Sequence, residues 1–266
     1  MQEFKIRCSA ISDIMSGNVG LTEPQELKYC ELYERKNAGT KPLTANMEKE
    51  LSILIYKKAN PELPTGAKTY LKTWLKQFLF ERNKDWKIAV VEKGLICEQE
   101  GIDLVSKVYN FENMFKNEKF FNNDFMQGTP DIIINETVRD IKNSWDLFTF
   151  PMFDDELPKK EYWWQLQGYM CLTGIKKAAL DYVLIDIPQA LVDLDLKKLY
   201  FQSGGIAEDW TPEKYQELYR NYRFDDIPED KRVKTFSFDY EEGIDLKIKE
   251  RVLMCRKYLN EITVGN

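Results

Sequence analysis

Histidine is absent from the 266 residues. That removes imidazole as base, nucleophile or zinc ligand, so hydrolytic chemistry here has to use carboxylates, lysine and hard metal ions. The five cysteines, Cys8, Cys30, Cys97, Cys171 and Cys255, are odd in number and never closer than 22 residues. Neither a disulfide framework nor a C-x-x-C knuckle is suggested, and buried thiols are the default expectation. There is no G-x-x-x-x-G-K-[ST] loop, which excludes an ATP-driven motor of that type. Apolar runs of about 18 residues or more are missing, and the opening MQEFKIRCSA lacks the charged-then-apolar pattern of a signal peptide. A soluble, cytoplasmic protein with no membrane partner is expected.

Net charge is −6, which taken whole argues against a nucleic-acid partner. Its distribution softens that. Residues 1–90 carry 15 Lys and Arg against 11 Asp and Glu, and residues 91–266 carry 23 against 33. A chain that gathers carboxylates around metal ions starts from a negative site and still has room for a local basic track.

The expected fold class is α/β (α+β), helices enclosing a mixed central sheet, with the whole of 1–266 forming one domain. Residues 1–90 read as a helical N-terminal part, 91–190 as a core, and 191–266 as a C-terminal strand with helices. Within the first part, Ser9 is placed to cap a short helix, and further helices are expected near 23–36, 44–58 and 65–82, punctuated by Pro61, Pro64 and Gly66. A long helix is expected from about 86 or 91 to 109. Short runs at 119–121, 125–127, 131–134 and 138–142 then read as an antiparallel meander. A helix over 160–172 stopped by Gly174, an apolar strand at 178–187 ended by Pro188, a strand near 233–238 and a terminal helix over 241–261 complete the order.

The chemistry gathers in Gly128-Thr129-Pro130-Asp131 and Val138-Arg139-Asp140-Ile141-Lys142. Alternation along a strand puts Asp140 and Lys142 on one face and Ile141 on the other. A hairpin partner bearing Asp131 brings a second carboxylate there. Two carboxylates and the main-chain carbonyl of Ile141 make an all-oxygen site suited to Mg²⁺, with Mn²⁺ as a substitute. Lys142 has two open roles: activating a water if its pKa is depressed, or staying charged beside a phosphate. Alone, this spacing also fits a hairpin with solvated charges. A helical wheel over 94–108, at about 100° per residue, adds Glu98 near the centre of an arc holding Leu95, Cys97, Ile102, Leu104, Val105 and Val108. A carboxylate in an apolar stripe calls for a partner, a proton or a metal. Glu100 falls on the polar side. Gln165 and Tyr169, four apart, share a helical face and offer an amide and a phenol to orient Lys142 or a phosphate oxygen.

In this order, Gly94-x-x-x-Glu98, Gly128-Thr-Pro-Asp131, Asp140-Ile-Lys142 and Gln165-x-x-x-Tyr169 resemble the PD-(D/E)XK nuclease superfamily, specifically its RecB-like and lambda-exonuclease-like branch of phages and prophages. The match covers about residues 94–187, and Arg7-Cys8-Ser9 more loosely resembles the family's DNA-end segment. The resemblance implies metal ligands at Glu98, Asp131 and Asp140, a catalytic Lys142, and Gln165 and Tyr169 as an accessory motif. It also implies 5′-phosphate contacts at Ser9, Thr129 and Gln167, a ring-shaped homotrimer and a single-strand annealing partner. RecB-like members often carry His where Glu98 stands, which moves the chain towards the lambda type. With Cys171 and Cys255 isolated, no iron–sulfur cluster is expected.

Lys68, Lys72 and Lys76 recur every four residues as a basic stripe, suited to sequence-independent phosphate contacts or simply to a solvated face. The resemblance implies exonucleolytic hydrolysis at double-stranded DNA ends, 5′ to 3′, serving phage-type recombination. A structure-specific or nicking endonuclease and an inactive DNA-binding module are the alternatives.

Overall fold

The computed structural model describes residues 3–39, 42–82, 93–94, 96–205 and 210–264. They fall into two compact units, one of Met1–Phe4, Ala10–Arg82 and Leu246–Asn266, the other of Lys5–Ser9 and Asn83–Asp245.

The first unit is helical. Helix α1 spans Ile11–Met15, α2 Glu23–Ala38, α3 Ala45–Ala59 and α4 Thr65–Phe80, and the last helix, α9 (Ile244–Val264), supplies its C-terminal part. Local chemistry sets these boundaries. Thr22 and Gln25 form a reciprocal capping box ahead of α2, whose end turns at Gly39 with φ 64°. Thr44 caps α3 by accepting from the Met47 N–H. Ser9 does not cap α1: it lies in the turn Cys8–Ala10, and Ala10 takes the cap position with no side-chain bond. Along α4, Ala67, Leu71 and Leu75 are buried while Lys72 and Lys76 are exposed, the division that i, i+4 spacing dictates.

The second unit contains both sheets. Strand β1 is Ile6–Arg7, β2 Phe121–Asn122, β3 Met126–Gly128, β4 Ile132–Ile134, β5 Thr137–Asn143, β6 Lys177–Val183 and β7 Val233–Asp239. Among the described residues, one sheet runs β1-β3-β2 and the other β4-β5-β6-β7. The expected single meander is thus two pieces in two sheets. The chain breaks between them at Thr129-Pro130, where proline has no N–H to offer a ladder. The β4–β5 turn carries Asn135 at φ 49° and Glu136 at φ 55°, the left-handed pair of a tight hairpin.

Helices α5 (Glu98–Tyr109), α6 (Lys160–Thr173), α7 (Gln189–Gln202) and α8 (Pro212–Arg220) belong to this unit. Of the long helix expected ahead of residue 109, residues 83–92 and 95 lie outside the described residues. Lys93, Gly94 and Ile96 are helical, and a bend at Cys97 precedes α5. Strands β5 and β6 are parallel, joined through α6, and β7 lies antiparallel to β6. β6 stops at Val183, short of the expected 187. Ile141 and Val183 pack with Ile102, Leu104 and Val105 of α5, so one sheet face forms a core. Across that face Arg139 makes a two-pronged bond to Asp181 at 2.8 and 2.7 Å, and Thr235 donates to the same carboxylate.

Cys8, Cys97 and Cys255 are buried as expected, whereas Cys30 is exposed. Among the described residues no helix is long and apolar enough to cross a membrane.

Candidate active site

The other face of β5 presents Asp140 and Lys142 towards α6. Lys142 Nζ stands 2.5 Å from Asp140 Oδ2. Asp140 Oδ1 accepts from Gln165 Nε2 at 2.9 Å, and the same nitrogen lies 3.0 Å from Tyr169 Oη. Gln165 therefore orients the carboxylate directly, with Tyr169 behind it. Asp131, just ahead of β4, accepts the Ile141 N–H at 2.9 Å through Oδ2, which fixes it beside β5. Asp140 is 1% exposed, and its Oδ2 has the Lys142 ammonium as its close partner.

Two carboxylates this close in a dry setting repel. Burial, then the charge of Asp140, push the Asp131 carboxyl up to about 7, although Lys142 and the Ile141 N–H pull the other way. Burial alone would lower the Lys142 ammonium, but Asp140 and Asp131 more than offset it and its pKa moves up. Tyr169 is pushed up by burial and by Asp140, which keeps its hydroxyl protonated.

The Asp131 shift has a measurable sign. The folded chain keeps a proton that the unfolded chain releases near pH 4, so this group favours folding at low pH and loses that effect as pH rises towards about 7. Metal-free protein is expected to lose stability across that window relative to Asp131→Asn. Denaturant titrations of both at pH 4.5, 6 and 7.5 check this: parallel curves would show that Asp131 ionises normally.

Glu98 opens α5, half-buried, and pairs with Lys116 at 2.5 Å. It contributes to the field that raises Asp131. Among the described residues, no three Asp, Glu or Cys side chains converge as a ready cage. The donor set that fits a hard cation is the Asp131 and Asp140 pair, and Mg²⁺ commonly takes one or two carboxylates and keeps its waters.

The remaining candidates are placed differently. Arg7, Ser9 and Thr129 are exposed, Arg7 opposite Gln127 at the β1–β3 pairing. Gln167 is 0% exposed, and both ends of its amide are engaged, donating to the Asp239 carbonyl and accepting the Glu241 N–H. It clamps the end of β7 to the turn at Glu241 and faces away from solvent. Lys68, Lys72 and Lys76 belong to the helical unit, where Lys68 pairs with Glu62 at 2.7 Å.

Some contributors had no sequence signal. Lys116 comes from the irregular stretch after α5. Lys93, buried, donates to the Ser144 and Trp145 carbonyls at 2.6 and 3.1 Å and pins the backbone just beyond β5. Gly128 was legible as a motif glycine, and its reason is spatial: a Cβ there would come within 2.8 Å of Tyr169 Cε1 and 3.1 Å of Cys8 Sγ.

No known family's sequence pattern matches the chain, and no curated protein matches it in sequence. Solved structures do. A phage-related exonuclease from Haemophilus somnus 129PT is 24% identical with a TM-score of 0.68, covering 99% of this chain and 96% of that one. An alkaline exonuclease from Laribacter hongkongensis is 12% identical with a TM-score of 0.54, covering 97% and 88%. The same enzyme in complex with dAMP gives 0.54 over 98% and 89%. This chain has the fold of these proteins over nearly its full length.

Proposed function

We propose that this chain is a Mg²⁺-dependent DNA exonuclease acting at double-stranded ends, with Mn²⁺ able to substitute. The observation that carries the reading is the pairing of half-buried Asp131 with buried Asp140 and of Lys142 with Asp140, set in a fold that two exonucleases share.

Asp131, Asp140 and the Ile141 carbonyl would hold the ion, with Glu98 as a further carboxylate. When bound, such an ion polarises a phosphodiester and lowers the pKa of a coordinated water. The protein's own groups do the rest. Gln165 and the Ile141 N–H fix one oxygen of each aspartate, and the Lys142 ammonium sits on the other oxygen of Asp140. Lys142, kept protonated by both carboxylates, is suited to stabilise charge building on the phosphate rather than to act as a base. Arg7, Ser9 and Thr129, exposed on the small sheet and its exit, are candidates for the DNA backbone. End resection 5′ to 3′ for recombination, a ring-shaped trimer and a single-strand annealing partner belong to the same reading. Linear and covalently closed duplexes of one sequence, incubated with Mg²⁺, test it. Nucleotides are released from the linear form only; cutting of the circle would mark an endonuclease instead.

Lys116 bears on metal affinity. Its ammonium competes for Glu98, and a half-exposed ion pair contributes at most about 1 kcal/mol. Lys116→Gln is expected to lower the Mg²⁺ concentration for half-maximal cleavage by up to about fivefold. An unchanged requirement would leave Glu98 outside the metal site.

A further inference from the structure

We infer that Tyr162 is a positioning residue for Lys142, its ring face capping the ammonium so that Lys142 is held between an aromatic surface and Asp140. The inference deepens the nuclease reading and rests on it.

The geometry begins with α6 as a ruler laid along β5. Tyr162, Gln165 and Tyr169 are spaced i, i+3, i+7 and share one helix face. Three residues of helix advance about 4.5 Å, and two residues of strand about 6.6 Å, so a helix antiparallel to β5 can address successive residues of one strand face. It does so here. Gln165 bonds Asp140, and one turn earlier the Tyr162 ring centroid stands 4.9 Å from Lys142 Nζ.

Lys142 then has two fixed neighbours. Asp140 Oδ2 holds the ammonium from one direction at 2.5 Å, and the negative face of the Tyr162 ring receives it from another. The ring itself is braced. Tyr182, the cross-strand partner of Lys142 on β6, meets it edge-on at 6.1 Å and 71°. Tyr182 in turn meets Phe236 of β7 at 6.0 Å and 82°. A chain of aromatic contacts thus runs across the sheet to a side chain that ends over a charge. Lys159 Nζ also lies 5.7 Å from the Tyr162 ring, but it is an exposed residue and the more distant cation.

Elsewhere a half-buried tyrosine on a sheet-covering helix would be ordinary packing. Its partner makes the difference here. Lysine has four rotatable side-chain bonds, and an ammonium that wanders cannot meet a developing phosphate charge at one place. Asp140 alone does not suffice as the anchor, because that carboxylate is also a candidate metal ligand and its charge is then shared with the ion. An aromatic face does not compete for the metal, so the Tyr162 cap persists when Asp140 is engaged.

The test compares Tyr162→Phe, which keeps the ring, with Tyr162→Leu, which keeps apolar bulk without it. Tyr162→Leu is expected to lower kcat on linear duplex by about tenfold with KM within about twofold, and Tyr162→Phe to retain activity close to wild type. A second readout is independent of turnover. With lysine labelled at ¹³Cε, and the Lys142 signal assigned by its loss in Lys142→Met, the ε-methylene resonance is expected upfield in wild type and Tyr162→Phe, and at the position of the other lysines in Tyr162→Leu. A wild-type kcat in Tyr162→Leu, or an unshifted Lys142 signal in the wild type, would overturn the proposal. Wild-type protein that cleaves no DNA with Mg²⁺ would instead overturn the nuclease reading, a separate outcome that the resonance readout does not depend on.

Discussion

Asp140→Asn is expected to reduce cleavage by on the order of a thousandfold, about 4 kcal/mol of lost transition-state stabilisation, with the fold retained. The change is nearly isosteric, and an amide oxygen can still accept the bond that Gln165 Nε2 makes at 2.9 Å. What is lost is the charge at Oδ2, the buried oxygen that faces the Lys142 ammonium at 2.5 Å. Asp131 also loses the neighbouring charge that adds to the effect of its burial, so its carboxyl moves down in the variant while burial still holds it above the ordinary range. Metal binding followed by calorimetry should weaken in parallel with kcat. Wild-type turnover in Asp140→Asn would remove the residue from the site.

The second large effect separates charge from metal. Lys142→Met keeps an unbranched side chain out to the ε position and removes the ammonium, and cleavage is expected to fall by about a hundredfold to a thousandfold. Its other consequences run in the opposite direction from those of Asp140→Asn. Without the cation, the buried Asp140 carboxylate loses its counter-charge beside Asp131, and metal-free protein is expected to lose about 3 kcal/mol, the lower end for breaking a buried pair because Lys142 is 24% exposed. A divalent ion then supplies the missing charge. Mg²⁺ should therefore stabilise Lys142→Met more than it stabilises wild type, measured as the shift of the urea midpoint with added metal. A variant equally inactive but indifferent to Mg²⁺ would mean that the carboxylates are not the metal site.

Much of this arrangement was legible where a local period governs it. Alternation put Asp140 and Lys142 on one face and Ile141 in the core, and the i, i+4 spacing put Gln165 beside Tyr169. Gly174 ended α6 as the backbone chemistry of glycine requires. The failures share a cause, which is that they depend on what lies across space. Gln167 reads from sequence like its neighbour Gln165, but it turns to the β7 end and is consumed there. Glu98 was found on its wheel, whereas its partner Lys116 sits in a stretch without periodicity. The split of the meander into two sheets comes from the parallel pairings of β1 with β3 and β5 with β6, contacts between segments far apart in sequence. Tyr162 was visible as part of an aromatic helix, but the lysine under its ring was not.

The most direct measurement of the central claim is release of labelled nucleotides from end-labelled linear duplex DNA, with and without a 5′-phosphate, in Mg²⁺ and in EDTA. A metal-dependent exonuclease built on Asp131, Asp140 and Lys142 predicts progressive loss from the ends in Mg²⁺, none in EDTA, and none with Asp140→Asn. Release that continues in EDTA, or that survives in Asp140→Asn, would contradict it.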